Sequence, residues 1–562
     1  MICLAAALIG SNWLSQFASG VVHSGQQANS ERLPAAHVTG QPKPVCGSSA
    51  VLAGPTSPPA NATIVPAGDD SDIDLGESDT TYWFAPGVHL LGSGQFTQII
   101  PGNGAAFIGA PGAILNGAHV NDYAFGGSAS HVTISYLTIE NFGAWGDNED
   151  QGVVNHNSSP YWTIEHTTVR DNAGAGVMVG SGNRLSYDCL SDNQQYGFNA
   201  YAPAGVSDIT IDHNEISGND TYNWEVHQEG CGCSGGGKFW DVDEAVITDN
   251  WIDGNHSVGL WADTDNRGFE IAGNYVSGNY SYGLIYEISY NAEITGNTFV
   301  KNGTGAGPAN TGFPTSAVYI SESGGDKRVP GRYSGKLAIT DNTFVNNWGG
   351  VILWENSNRF CNSPTNTSGG YCTLVDPGRV TLSSCNSSNM EKEPYYDDCR
   401  WKTQNVSVDR NVFDFAPASV SANCTAATAC GFQGIFSEYG TYPSWSPYQG
   451  PIVEKHITYD QGNSFSDNEY NGPWQFMVYQ QGNVISWRSW NSAPYDLDKG
   501  SVAAGLPQMA PEASSSLASD SEGAFSSRLD IKVTGIGHGM ASSGSSNAMD
   551  TSSLGSCGRS IL

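Results

Sequence analysis

Three stretches decide the fold: Ile247-Thr-Asp-Asn250-Trp-Ile252-Asp-Gly-Asn255, Ile271-Ala-Gly-Asn274-Tyr-Val276-Ser-Gly-Asn279 and Ile294-Thr-Gly-Asn297-Thr-Phe299-Val-Lys-Asn302. In each, Ile stands three residues before an Asn, an apolar residue stands two after it, and a second Asn follows five after. The step is 24 residues from Asn250 to Asn274 and 23 from Asn274 to Asn297. Outward, the frame continues to Ile211, Asn214 and Asn219, and to Ile339, Asn342 and Asn347. A degenerate last copy is read at Asn463 and Asn468, where Asp460 takes the place of the Ile and Phe465 the apolar position. A period this short, built of β-branched residues, suits one coil of a solenoid.

Each coil reads as a short strand, a turn at the first Asn, a second short strand, a turn at Gly or Asn and a third strand. Asn tolerates left-handed turn conformations, and its amide can bond to the Asn one coil above. Stacking at about 4.8 Å per rung turns the Ile and Phe columns into a continuous core. No long stretch places apolar residues at helical spacing, and the repeats are rich in Gly, Asn and Thr, so helices are excluded.

Composition agrees with a large all-β protein. The 562 residues include 69 Gly, with 14% charged and 11% aromatic side chains, too apolar for a disordered chain. The formal charge of −32, from 23 basic and 55 acidic residues, argues against nucleic acid and anionic membranes as partners. Twelve cysteines imply an oxidising compartment. Cys361 with Cys372, Cys385 with Cys399, and Cys424 with Cys430 lie after the regular coils, where loops need staples. Cys231 and Cys233 flank a single Gly, and a bond between them is expected to be strained, so each is read as pairing elsewhere or staying reduced.

Residues 1–25 look like a signal segment, with an apolar run from Ile2 to Ile9 too short to span a membrane. Residues 26–66 read as an Ala, Pro and Ser linker, 67–125 as a cap with the first coils, and 126–500 as the solenoid with loop insertions. From 501 to 562 the chain turns to Ser, Gly and Ala and is left without structure. Secretion follows as an expectation.

The coils resemble the right-handed parallel β-helix proteins of the pectate lyase and polygalacturonase superfamily. The resemblance spans roughly residues 80 to 500 and implies a single right-handed parallel β-helix with an active cleft on the outer face of one sheet. It implies no one activity, because this fold carries hydrolases, lyases, epimerases and phage tailspikes.

The strand after the second Asn aligns on Gly152, Gly176, Gly197, Asn223, Gly259, Gly283, Ala317 and Gly350. Positions one and three after this anchor are mostly apolar, as in Leu260 and Ala262, so positions two and four face solvent. Position four then places His227, Asp263 and Glu287 on three consecutive rungs. Position two adds Glu225, Trp261 and Tyr319, and Glu322 lies just beyond its strand. Trp261, Trp240, Tyr319, Trp354 and Tyr286 are candidate sugar-stacking rings, with Tyr286 at position three an exception to the outward pattern. An acidic strand face is most often only solvated surface. Here long insertions coincide with it: 36 residues separate Asn223 from Gly259 and 34 separate Gly283 from Ala317.

Cleaving a glycosidic bond takes a proton donor for the leaving oxygen and a second carboxylate as nucleophile or base. Asp263 and Glu287 are assigned those roles, with Glu225 and Glu322 as stand-ins and His227 modulating them. The expected function is therefore a glycoside hydrolase acting on a neutral or weakly charged polysaccharide, with no metal and no cofactor. A polysaccharide lyase using Lys238 as base, with Ca²⁺ on Asp and Glu, ranks second, because Arg267, Lys327 and Arg328 are the only other basic residues nearby. A non-catalytic glycan-binding adhesin is third.

Overall fold

The computed structural model describes residues 41–506, except 229–230, 311–312, 362, 364–377, 387, 439–441 and 481–482. The signal-like segment lies outside them, as do the tail from 507 and Cys372.

Short strands from successive coils stack into three sheets of 13, 14 and 11 strands. One coil contributes Val242–Thr248 to the first sheet, Trp251–Asp253 to the second and Leu260–Ala262 to the third. The next contributes Arg267–Ala272, Tyr275–Ser277 and Leu284–Glu287. Their pairing is parallel, with Ile247 against Ile271, Ile252 against Val276 and Leu260 against Leu284. This is a parallel β-helix, and the sequence frame is its register.

The Asn residues form two buried ladders, one along each turn that flanks the second sheet. The first runs through Asn214, Asn250, Asn274, Asn297, Asn342, Asn411 and Asn468. Asn274 shows the pattern. Its Oδ1 accepts from the Asn250 backbone N–H at 3.0 Å and from Asn250 Nδ2 at 2.9 Å. Its own Nδ2 donates to Asn297 Oδ1 at 3.0 Å and to the Ile247 carbonyl at 2.8 Å. The second ladder runs through Asn172, Asn193, Asn219, Asn255, Asn279, Asn302 and Asn347.

Two readings of these asparagines are corrected. The left-handed residue of each turn is the one before the Asn, as at His213, Asp249 and Asp341, leaving the Asn amide free to point into the stack. The last copy is also out of register by one ladder. Asn468 stacks on Asn411, and Phe465 pairs with Val408 in the first sheet, so Phe465 holds the place three before the ladder Asn that Ile holds in earlier coils. Asn463 instead accepts from the Val406 backbone at the edge of that strand. The true copy therefore conforms, with Phe465 and Tyr470 around Asn468.

Inside, Phe299, Phe344, Phe413 and Tyr470 stack at 5.0, 4.5 and 4.9 Å between ring centres with planes within 12°. Aromatic rings thus fill a column that Ile216, Ile252 and Val276 fill in earlier coils.

The chain is ordered earlier than its composition implied. Within the stretch read as a linker, Thr63–Val65 already pairs with Thr81–Phe84 to start the first sheet. Cys46 is bonded to Cys189 in the second sheet. At the other end Val502–Ala504 adds a strand to the second sheet, beyond residue 500. Cys385 bonds Cys399 and Cys424 bonds Cys430, as the spacing predicts. Cys231 and Cys233 are bonded to each other, against expectation: the intervening Gly232 takes φ +60°, which lets the three-residue ring close.

Candidate functional site

The site lies on the outer face of the third sheet. One row of outward side chains reads Asn199, Lys238, Trp261, Ile285, Tyr319 and Ile352 on successive rungs. The strand beside Leu260–Ala262 is thus Gly237–Phe239, and not the segment that follows Asn223. Trp224–His227 is a helical turn within the insertion, whose first N–H is taken by Asp220 Oδ1 at 3.0 Å. His227 is exposed on that turn and stacks on Tyr222 at 4.0 Å, so neither it nor Glu225 shares a column with Asp263.

A signal in the sequence separates the two candidates. A Cβ on Gly236 would lie 2.5 Å from the Gly259 carbonyl and 2.8 Å from Asn255 Nδ2. One on Gly259 would meet the Gly283 carbonyl and Asn279 in the same way. The second ladder and the next rung fill the anchor's side-chain space, so the anchor must be Gly wherever packing is this close. Gly236 satisfies that condition and Asn223 does not.

Asp263 and Glu287 end neighbouring strands of this sheet, and Glu287 pairs with Ser321 on the next rung. Their backbones stand about 4.8 Å apart, the rung spacing. Lys238 Nζ donates to Asp263 Oδ2 at 2.6 Å and to the Gly232 carbonyl at 2.6 Å, and lies 3.6 Å from the centre of the Trp261 ring. Thr264 Oγ1 donates to the other Asp263 oxygen at 3.1 Å.

On the far side, Arg359 Nη1 reaches Glu322 Oε2 at 2.8 Å and Glu287 Oε1 at 3.3 Å. Glu322 also accepts from Ser321 Oγ and the Asn356 backbone. The result is a line of ionisable groups, Lys238, Asp263, Glu287, Arg359 and Glu322, in which two neighbouring acids are flanked by a cation on each side. All five are nearly covered, but the Asp263 and Glu287 side chains keep 9% and 11% exposure against 1% for Glu322. The first two face the outside and Glu322 anchors Arg359 behind them.

Burial pushes the Glu287 carboxyl up to about 7; Arg359 pulls against this, while Asp263 and Glu322 add to it. Ile288, directly after Glu287, is held at φ +44°, a position a β-branched residue rarely adopts. Its side chain packs with Tyr290, Val329 and Trp401, and that packing sustains the turn that aims Glu287 outward.

Sequence reasoning missed Arg359 and Asp150. Arg359 follows the strand Val351–Trp354 in an irregular segment that no column registers. Asp150, in the turn before the strand Gly152–Val154, accepts from Tyr196 Oη and Gln195 Nε2 at 3.3 Å each. Its carboxyl is raised to about 6 by burial, with Lys238 opposing.

The candidate stacking rings differ in place. Trp261 and Tyr319 lie on the outer face but are covered, packed with Tyr282, Ile285 of the same row and Phe313 of an insertion. Trp240 and Trp354 are half-buried. Tyr286 faces inward, fully buried with its hydroxyl donating to the Tyr290 carbonyl, so it belongs to the core. Arg267 pairs with Asp243, and Arg328 with Asp326 and Asp398, away from the line of charge. Among the described residues, no group of three His, Cys, Asp or Glu is arranged to hold a metal ion, and no helix is long and apolar enough to cross a membrane.

Residues 151–329 match the model of the right handed beta helix region, which supplies the hand of the solenoid. The mannuronan C-5 epimerase AlgE6 A-module of Azotobacter vinelandii is 13% identical, with a TM-score of 0.44, covering 78% of this chain and 97% of that one. The catalytic unit of the GH87 alpha-1,3-glucanase of Streptomyces thermodiastaticus is 11% identical, with a TM-score of 0.46, covering 81% and 71%. An alginate lyase of a Paenibacillus species is 13% identical, with a TM-score of 0.31, covering 52% and 87%. No curated protein matches the chain in sequence.

Proposed function

We propose that this is a secreted glycoside hydrolase in which Glu287 is the general acid and Asp263 the carboxylate that attacks or activates water. The supporting observation is the asymmetry of two carboxyls on adjacent rungs. Asp263 is salt-bridged to Lys238 at 2.6 Å, whereas buried Glu287 keeps its proton up to about pH 7. Two neighbouring acids in opposed environments are what proton donation and carboxylate attack require together. Glu287 gives its proton to the leaving glycosidic oxygen as that bond breaks. Asp263 meets the positive charge developing at the sugar carbon, and Lys238 and Thr264 orient it. The disulfides accord with an oxidising compartment.

A lyase acting on a polyuronate is the second reading, favoured by Lys238 and Arg359, two cations among the carboxylates that could meet a uronate group. Each Lys238 contact is that of an ammonium donor, so service as a base requires leaving Asp263 first. Calcium would supply charge neutralisation in that reading.

A glycan panel separates the readings. A hydrolase releases reducing ends without ultraviolet absorbance, a lyase releases unsaturated ends that absorb and lose yield with chelator, and a binding protein releases neither. Full activity in both Asp263→Asn and Glu287→Gln would remove the assignment of the pair.

A further inference from the structure

The aromatic side chains Trp261 and Tyr319 on the outer face of the third sheet are covered, but in the segments that lead into that sheet Trp145 is 67% exposed and the aliphatic Val226 79%. They come from two insertions at the edge where the chain enters that sheet, and Tyr222 joins them. The Trp145 and Tyr222 rings stand edge to face at 5.6 Å, and His227 lies flat on Tyr222 at 4.0 Å. Trp224, buried beneath, tilts against Tyr222 at 5.1 Å. Gly146 permits the approach, since a Cβ there would sit 2.8 Å from the Tyr222 ring, and Gln194 Oε1 holds its backbone N–H at 2.8 Å. The exposed rings are thus braced by the fold.

The same segment runs on to the charged line. The Asp150 backbone N–H donates to Gln195 Oε1 at 2.7 Å, and its carbonyl accepts from Asn199 Nδ2 at 3.1 Å. Asn199 is the register neighbour of Lys238, so Asp150, at the end of segment 143–150, meets the outer face one rung from it. The third-sheet strands are three to four residues long here, roughly 10–13 Å, with the insertions at their entry and Asp263 and Glu287 at their ends.

We propose that Trp145, Tyr222 and His227 form a platform that binds one pyranose ring of a neutral glycan, holding the chain whose bond lies at Asp263 and Glu287. The idea rests on the glycosidase reading for its direction along the face. Flat amphipathic rings stack on the C–H face of a pyranose. Segments 143–150 and 220–228 contain no Lys or Arg, and besides the proton-holding Asp150 and Asp220 they carry Asp147, Glu149 and Glu225. Carboxylates accept from sugar hydroxyls and repel a polyuronate, which selects the neutral class. Three rings are far too small a patch for a second copy of the chain, which needs roughly 1,000 Å².

Affinity electrophoresis of the full chain in gels carrying neutral polysaccharides or polyuronates tests this without relying on turnover. We expect retardation in at least one neutral glucan, xylan or mannan and none in alginate or polygalacturonate. Trp145→Ala and Tyr222→Ala should each weaken it roughly tenfold, Trp145→Phe should largely restore it, and Glu287→Gln should leave it intact. Retardation only by polyuronate, by no glycan, or unchanged in Trp145→Ala overturns the platform. Cleavage that survives Glu287→Gln while Trp145→Ala loses binding overturns the catalytic assignment and leaves the platform standing.

Discussion

At the scale of single residues, Glu287 is set by opposing influences: burial first, then Arg359 against it, with Asp263 and Glu322 adding to burial. If its protonated form is the working one, turnover falls as pH rises through about 7 and is retained below. Replacing it with Gln should lower kcat by roughly 10²–10⁴-fold. The same variant should be no less stable than the parent at pH 8, since a neutral amide replaces a buried carboxylate. A pH-rate profile without a limb near 7 would remove Glu287 from the acid role. Asp263, Glu287 and Glu322 could be found from sequence because each sits at or beside a registered strand position. Arg359 and Asp150 could not, because both arrive on segments without a repeat.

At the scale of elements, each ladder Asn does the work of several bonds. Asn274→Ala would remove both acceptor contacts to Asn250 and the three donations from its Nδ2, leaving a buried backbone N–H unpaired. A loss of about 2–4 kcal/mol is expected in denaturant unfolding, given roughly 1–3 kcal/mol for each buried unsatisfied group. Asn463→Ala, outside both ladders, should lose less; equal losses would contradict the register assigned here. The disulfide loop is the second element with a sharp test. Gly232 sits at φ +60°, its carbonyl holds Lys238, and a Cβ there would lie 3.3 Å from the Trp261 ring. Gly232→Ala should cost about 1 kcal/mol in stability and lower kcat/KM more than Tm suggests, through Lys238. Unchanged kinetics would show that the carbonyl does not position it.

At the scale of the molecule, burial raises the proton affinity of several acids, and among the described residues four reach the range around neutrality: Asp150 at about 6, Glu287 and Glu438 at about 7, and Asp220 at about 8. Between about pH 4 and 8 the folded state holds protons that the unfolded chain releases, so stability declines as pH rises through that window. Tm should therefore be higher at pH 5 than at pH 8, and calorimetry showing the reverse would contradict these protonation states. Cys46–Cys189 ties the first described turns to the second sheet across 143 residues, whereas Cys424–Cys430 closes only 6. By loop-closure entropy, losing the first should cost roughly 4–5 kcal/mol and the second clearly less, a ranking that Cys→Ser pairs can check.

The repeat by itself determined the solenoid, because stacking demands that the same residue type recur at the same place in every coil. It also determined which face Asp263 and Glu287 occupy, since inward and outward positions alternate along each strand. What escaped it were the insertions, which obey no period. Only the tertiary structure decided that the Cys231–Cys233 loop folds back on Lys238, that Arg359 stands between Glu287 and Glu322, and that His227 lies elsewhere. Those contacts join residues whose sequence separation carries no pattern, and their geometry is set by how loops pack on a sheet already formed.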